Sequence, residues 1–535
     1  MRLHAIQNHM TELVFTSGRL YEDPYIQVEL DVVFSGPGAD FLRVPAFWAG
    51  DNVWKARFAP PAPGEYSYVT VCSDTSNRDL HALKGEVVAS ADPGDNPLLR
   101  HGRLRLAPSR RTLEHADGTP FFWLGDTWWM GLSQRLRWPE DFQILTEDRV
   151  RKGFSVIQIV AGPYPDVPAF DERGSNEAGF PLSEDLSHIN PAYYDLADLR
   201  IGHLVRSGLA PCIVGCWGYY LPRMGVEAAK RFWRYLVARW GAYPVIWCIA
   251  GEALMPYYLS STPKEDTETQ LQGWTQVTAY VRQLDPFHNP ITIHPTADAR
   301  DQVTDMSLLD IHMLQTGHSG VSSVGPTIHQ VTAAVARTPR RAVIVGEVNY
   351  EGLAGTSWED VQRMCFWGSI LNGAAGHTYG ANGIWQVNTR ARPFGPSPHG
   401  RTWGNTPWDE AMRLPGSTQL GLAKRFLETL PWQEMEPHPE WAEATAFWTA
   451  DPGLVGSACA GIPRRLRVLY TPPTWNPPLI KGIEADVRYV AVYFDPRTGH
   501  QVPAGVVEPD ADGNWRAPIT PTFSDWVLVL KSEEL

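Results

Sequence analysis

Between about residue 98 and residue 432, short apolar runs alternate with amphipathic stretches, and this alternation constrains the fold more than any other feature of the chain. The runs are Pro120–Asp126, Phe154–Val160, Leu209–Gly215, Val245–Glu252, Pro290–His294, Leu308–His312, Ala342–Glu347 and Gly376–Tyr379. Buried strands joined by helical crossovers pair in parallel, and eight of them close a barrel. The intervening segments carry helix signals. Asn190-Pro191 supplies an N-cap and a proline for the first helical position, and Tyr193, Leu196, Ala197, Leu204 and Val205 then share one face before Gly208. Val226, Ala229, Trp233, Leu236, Val237 and Trp240 form a second stripe, and Ser357-Trp-Glu-Asp360 reads as a capping box opening a third helix.

The flanks follow a different rhythm. Tyr25–Phe34 and Gly64–Cys72 alternate side-chain character with period two between Gly, Pro and Asp turns, which predicts an N-terminal β-sandwich over residues 1–92. Ala91-Asp-Pro-Gly-Asp-Asn-Pro97 marks its end. Arg488–Phe494 and Asp525–Leu530 predict a second sandwich over 435–535. The expected fold class is therefore α/β, with a (β/α)8 TIM barrel over 98–432 between two β-sandwich domains.

Charge and cysteine usage narrow the chemistry. A formal charge of −13 opposes a nonspecific nucleic-acid binder, and no long Lys/Arg run offsets it. The six cysteines are sparse and widely spaced, and Cys212 and Cys216 lack the second pair that a zinc site needs, so all are expected as reduced core thiols. Neither an apolar leader nor a membrane-length apolar run occurs, which predicts a cytoplasmic protein without a membrane partner. The 22 Trp either fill large cores or face sugar rings.

In a parallel barrel the C-terminal strand ends converge on one mouth. Two runs end there in Gly-Glu, at Glu252 and Glu347. A pair of carboxylates is the minimum apparatus for cleaving a glycosidic bond, and strands four and seven face each other across the ring. The short separation of a retaining enzyme is expected. Asp126, Trp128, Gln158, Trp217, His312, Gln315, His318, His377, Tyr379 and Trp385 are the candidate substrate-binding residues around the pair. Asp126 could equally cap the first helix, and each His could be a hydrogen-bonded core residue. His312, Gln315 and His318 are spaced irregularly for a metal, so neither metal nor cofactor is expected.

Phe121-Phe-Trp-Leu-Gly-Asp-Thr-Trp128, Lys152–Gln158, Ala242–Trp247, Leu309–His318 and Gly376–Gln386 resemble the apiosidase-like glycoside hydrolases. The resemblance spans nearly the whole chain, since the first 92 residues are similar to the β-sandwich that precedes this barrel and the last 100 to a small collagen-binding-like β-domain. It implies a retaining, exo-acting O-glycosyl hydrolase on plant-type oligosaccharides or glycosides, with Glu252 as acid/base and Glu347 as nucleophile. The family usually carries Gly-Gly-Asp at the strand-four position, where this chain has Ala250-Gly251-Glu252. The extra methylene moves the proton donor by about 1.5 Å. Gly251 also stands where the wider clan of retaining barrels has Asn. A noncatalytic carbohydrate-binding or adhesion protein on the same scaffold is the alternative.

Overall fold

A computed structural model describes residues 2–443, 458–474 and 476–533. Its centre is an eight-stranded parallel barrel. The strands, in order, are Trp123–Trp128, Val156–Val160, Ala210–Trp217, Ile246–Gly251, Ile291–Thr292, Ile311–Gln315, Ala342–Glu347 and Gly376–Tyr379. Ladders run continuously from the fifth strand round through the first to the sixth. The remaining gap is closed by the Asp310 N–H, which donates to the Ile291 carbonyl at 2.8 Å, and by the Thr292 hydroxyl, which donates to the Ile311 carbonyl at 3.1 Å.

The eight expected runs all lead into barrel strands, with shifted limits. Residues 306–308 form a turn of 3-10 helix, and the sixth strand begins only at Ile311. Asn190 caps the helix Pro191–Arg206 by accepting from the Tyr193 N–H, and Val226–Trp240 is helical as its stripe implies. The capping box at Ser357 does not form. The third helix starts at Glu359 behind Trp358, without a side-chain cap bond, because Ser357 sits in the left-handed region at φ 59°.

The N-terminal strands build a sandwich from one continuous seven-stranded sheet, in which Ala39–Trp48 links the two groups of strands. Its first half pairs with Leu30–Gly36, and Ala46, Phe47 and Trp48 pair with Val53–Phe58. Tyr25 and Ile26, expected to extend a strand, lie instead in the short helix Pro24–Gln27, because Asp23 accepts from the Ile26 N–H and Pro24 is set for a first turn. At the C-terminal end a six-stranded antiparallel sheet and a two-stranded one share a core that includes Trp441, Ile480, Tyr489, Tyr493 and Leu528. Residues 444–457, inside the segment expected as the second sandwich, lie outside the described residues. The six cysteines are free and buried.

Each flank is fastened to the barrel through a buried arginine and aspartate. Asp198, on the helix after the second strand, accepts from Arg57 of the N-terminal sandwich, from Arg239 at 3.0 and 2.8 Å, and from the Trp240 indole at 2.7 Å. Phe47 lies against both guanidinium groups, at 5.1 and 4.7 Å. On the other side, Arg363 of the helix Glu359–Ile370 forks onto Asp525 at 2.7 and 2.8 Å, and the Tyr470 hydroxyl donates to the same carboxylate.

Burial pushes the Asp198 carboxyl up, but Arg239 and Arg57 outweigh it and hold it down to about 2. Removing this charge leaves Arg57 with Glu12 and Arg239 with Asp195 as their remaining carboxylate partners, so Asp198→Asn is expected to cost about 1–3 kcal/mol at pH 7. A depressed folded-state value stabilises above the ordinary unfolded value near 3.9, and that contribution is lost as pH falls toward 2. Denaturant titrations at pH 7 and pH 3 should therefore show the deficit of the variant shrinking in acid.

Candidate active site

Glu347 reaches the barrel mouth because its strand breaks step. Along the seventh strand Ile344 pairs with Met313 and Val345 with Leu314, but Gln315 pairs with Glu347, and Gly346 is skipped. A bulge of this kind turns the next side chain to the opposite face. Without it, Glu347 would alternate with Val343 and Val345 onto the helix-facing side. A Cβ at Gly346 would lie 2.5 Å from the Met313 side chain, so only glycine fits the bulge. The Gln158 amide, from the second strand, crosses the barrel interior and donates to the Gly346 carbonyl at 2.8 Å.

Glu252 is aimed by a second local device. It follows the fourth strand at φ 39°, a left-handed conformation that a residue with a side chain adopts only when its surroundings hold it there. Gly251 is required beside it, since a Cβ there would come within 2.1 Å of the Trp217 ring. The indole thus fills the space that a side chain at 251 would take, and its N–H donates to Glu252 Oε2 at 3.2 Å.

The two carboxylates meet at one amide nitrogen. Gln315 Nε2 donates to Glu252 Oε1 at 3.0 Å and reaches Glu347 Oε1 at 3.3 Å. Those two oxygens are therefore no further apart than the sum of the two lengths, about 6.3 Å. His318 Nε2 lies 2.8 Å from Glu347 Oε1, and His294 Nε2 lies 3.2 Å from Oε2.

The partners separate the two acids electrostatically. Burial raises the Glu252 carboxyl above the ordinary carboxylate range and the Glu347 charge raises it further, against the opposing Gln315 hydrogen bond. Burial also opposes ionisation of Glu347, but the His294 and His318 contacts prevail and hold it down to about 2. His318 moves up in return, because its pairing with Glu347 outweighs its own burial.

A cavity of about 220 Å³ opens onto the pair. Trp129, Trp217, Gln315, His318, Tyr350 and Trp385 line it on the barrel side, and Asp166, Met255, Tyr258, Leu353, His399 and Trp403 come from the loops. The His318 ring stacks on Tyr350, and Tyr350 on Trp385, with centroids 5.0 and 5.9 Å apart. Among the described residues, several buried polar atoms of this lining have no hydrogen-bond partner, among them Gln315 Oε1 and Trp385 Nε1. Orphaned polar atoms on aromatic walls suit a polyhydroxylated ligand. Among the described residues, no three His, Cys, Asp or Glu are grouped to hold a metal ion.

Trp217, Gln315, His318 and Trp385 thus join the two glutamates at the cavity, whereas the other sequence candidates lie elsewhere. Asp126 is wholly buried behind the barrel wall. It takes Arg149 at 2.6 Å, the Trp128 indole at 2.7 Å and the Thr127 N–H at 2.9 Å. Trp128 packs edge-on to Phe142 of the outer helix. His312 pairs with Asp298 and Tyr379 with Glu351, while His377 packs on Phe366 of the helix layer, where burial lowers its pKa to about 3. Gln158 works beneath the cavity, on the bulge. Conversely, Asp166, Tyr258, His399 and Trp403 sit in irregular loops with no periodic signal. The one hint was the crowding of Gly, Pro, His and Trp in Phe394–Gly404.

A buried and a half-buried glutamate across an aromatic cavity at the C-terminal mouth of a parallel barrel are the arrangement that glycoside hydrolases use. Residues 107–434 match the apiosidase-like catalytic domain, which is more than half of the chain. The protein belongs to the apiosidase-like family and is a glycosidase. Residues 6–73 match a domain of unknown function, DUF5060. A structure described as a glycoside hydrolase superposes with a TM-score of 0.67 at 22% identity, covering 81% of this chain and 98% of its own. A family 5 glycoside hydrolase from Bacteroides vulgatus ATCC 8482 gives 0.66 at 21%, covering 82% and 94%. A second protein of that strain, provisionally described as a glycoside hydrolase, gives 0.70 at 18% over 99% of both chains. At these identities the likeness is one of fold. No curated protein matches the chain significantly. Among the described residues, no helix is long and apolar enough to cross a membrane.

Gln158→Met keeps the volume in the barrel but leaves the Gly346 carbonyl without its donor. An unpaired buried carbonyl costs about 1–3 kcal/mol, here on the backbone that aims Glu347. Steady-state kinetics are expected to show kcat reduced roughly 10- to 100-fold with KM little changed. Wild-type kcat in a folded variant would mean that the bulge holds without Gln158.

Proposed function

We propose that this glycosidase is a retaining, exo-acting enzyme on plant-type oligosaccharides or glycosides, with Glu252 as acid/base and Glu347 as nucleophile. The observation that carries this reading is the single Gln315 amide shared by both carboxylates. Its two short contacts hold one oxygen of each carboxylate within about 6.3 Å of the other, which favours the close spacing of a retaining pair, about 5–5.5 Å between carboxyl groups, over the wider spacing that admits water in an inverting one. Glu347, ionised and held by His318, attacks the anomeric carbon. Glu252, kept protonated by burial and by the Glu347 charge, gives its proton to the leaving oxygen. Once Glu347 is esterified its charge is gone and Glu252 can act as base toward the incoming water.

Cavity size supports exo action. At about 220 Å³ it is smaller than pockets for drug-sized ligands, which begin at about 300 Å³, and it suits one terminal sugar ring. The aromatic walls offer faces on which the C–H surface of that ring can lie. The plant-type substrate class rests on family membership.

Glu347→Ala is expected to abolish turnover of an aryl glycoside, and azide or formate should restore part of it by entering the vacated space. Wild-type-like turnover by Glu347→Gln would end the assignment. The two shifts also predict a bell-shaped kcat/KM profile. Its alkaline limb follows loss of the Glu252 proton above the ordinary carboxylate range, and its acid limb follows protonation of Glu347 near 2. Glu252→Gln should lose the alkaline limb. It should also cost about 10²- to 10⁴-fold on substrates with poor leaving groups, and much less on activated ones.

A further inference from the structure

The cavity contains a third carboxylate that the double displacement does not use. Asp166 lies in the loop after the second strand, at φ 56°, again in the left-handed region. Tyr258 Oη, Ser397 Oγ and Trp403 Nε1 all donate to the same oxygen, Oδ1, at 3.0, 2.6 and 3.4 Å. Those donors come from the loops after the fourth and eighth strands, so one oxygen of Asp166 ties three loops together. Among the described residues no hydrogen bond reaches Oδ2, and Asp166 lines the cavity with part of its surface open. The second and sixth strands lie on opposite sides of the ring, which sets Asp166 across the mouth from Gln315 and His318.

A carboxylate oxygen only accepts, so Oδ2 favours a ligand that donates. In a cavity with room for one sugar ring, the available donors are hydroxyl groups. A negatively charged ligand meets the opposite condition. Asp166 and the ionised Glu347 both line the space, the His318 ring is already engaged by Glu347, and the His399 ring packs on Tyr258 and Trp403 with its Nδ1 accepting from the Arg401 N–H. We propose that Asp166 is a specificity-determining residue whose free oxygen accepts from hydroxyls of the seated ring, selecting neutral glycosides and rejecting uronic-acid glycosides. This inference rests on the glycosidase reading of the same cavity.

Asp166→Asn is a discriminating substitution. The three donors oblige the amide to present its carbonyl in place of Oδ1, so the tie between the loops is kept, while Oδ2 becomes an N–H₂ donor. On 4-nitrophenyl glycosides of neutral pentoses and hexoses, kcat/KM is expected to fall about 10- to 100-fold for the best substrate. On the 4-nitrophenyl glucuronide and galacturonide it should hold or rise, so that the neutral-to-uronide ratio shifts by about tenfold or more. Ser397→Ala, which removes one donor to Oδ1 and leaves Oδ2 in place, separates bracing from reading. A bracing role would make that ratio move alike in both variants, and a reading role moves it in Asp166→Asn alone. An unchanged ratio in folded Asp166→Asn overturns the proposal. So does a wild-type enzyme that prefers the uronides, treats both classes equally or cleaves neither, a measurement that requires no variant to fold. Normal turnover by Glu347→Gln alongside a shifted ratio in Asp166→Asn would instead remove the nucleophile assignment and leave the role of Asp166 standing.

Discussion

The site depends on the strict alternation of side chains along the barrel strands. In a closed parallel sheet each residue faces either the interior or the helix layer, and a shift of one position exchanges the two. Asp126 and Trp128 fall on the helix-facing set and meet Arg149 and Phe142 there. His377 and Tyr379 fall on the same set at the eighth strand, against Phe366 and Arg149. Glu347 would have joined them, since its neighbours Val343 and Val345 register with His312 and Leu314. The slip at Gly346 brings it to the mouth, and the price of that slip is a carbonyl off the ladder, which Gln158 takes up.

This alternation also explains how far the amino-acid order could be read. Strands as apolar as Ala342–Val345 or Ile246–Ala250 announce themselves by composition, and their parallel pairing follows from the helices between them. The two Gly-Glu ends were visible because a charged residue closing an apolar run is conspicuous. A run buried on both faces has no polar alternation, however, so nothing in Trp123–Trp128 tells which residues face inward. The candidates taken from strand ends divide accordingly between cavity and helix layer. Asp166, Tyr258 and Trp403 escaped notice for another reason. They are brought together by hydrogen bonds between loops distant in sequence, a relation with no period to detect.

Two glutamates of one chemical type are made unlike by what faces them. Histidines on the fifth and sixth strand ends keep Glu347 charged, whereas Glu252 is met by an indole N–H and an amide, neither of which carries charge. The absence of a side chain at Gly251 belongs to the same arrangement, because it admits the Trp217 ring. The Trp217 ring is therefore both a wall of the cavity and part of the environment of Glu252, and a change in one alters the other.

Asp198 has a wider bearing. Its carboxylate is neutralised by Arg57 and Arg239, which belong to different folding units as the chain is ordinarily divided. Half of the counter-charge for a buried barrel group is thus supplied from the N-terminal sandwich, with Phe47 as the apolar lid between the guanidinium groups. The barrel has, in effect, lent out part of its own interior. A boundary drawn in the Asp-Pro-Gly stretch near residue 92 separates two sheets but cuts through one electrostatic unit. Replacing the sandwich without the helix face on which it rests would take Arg57 away from Asp198.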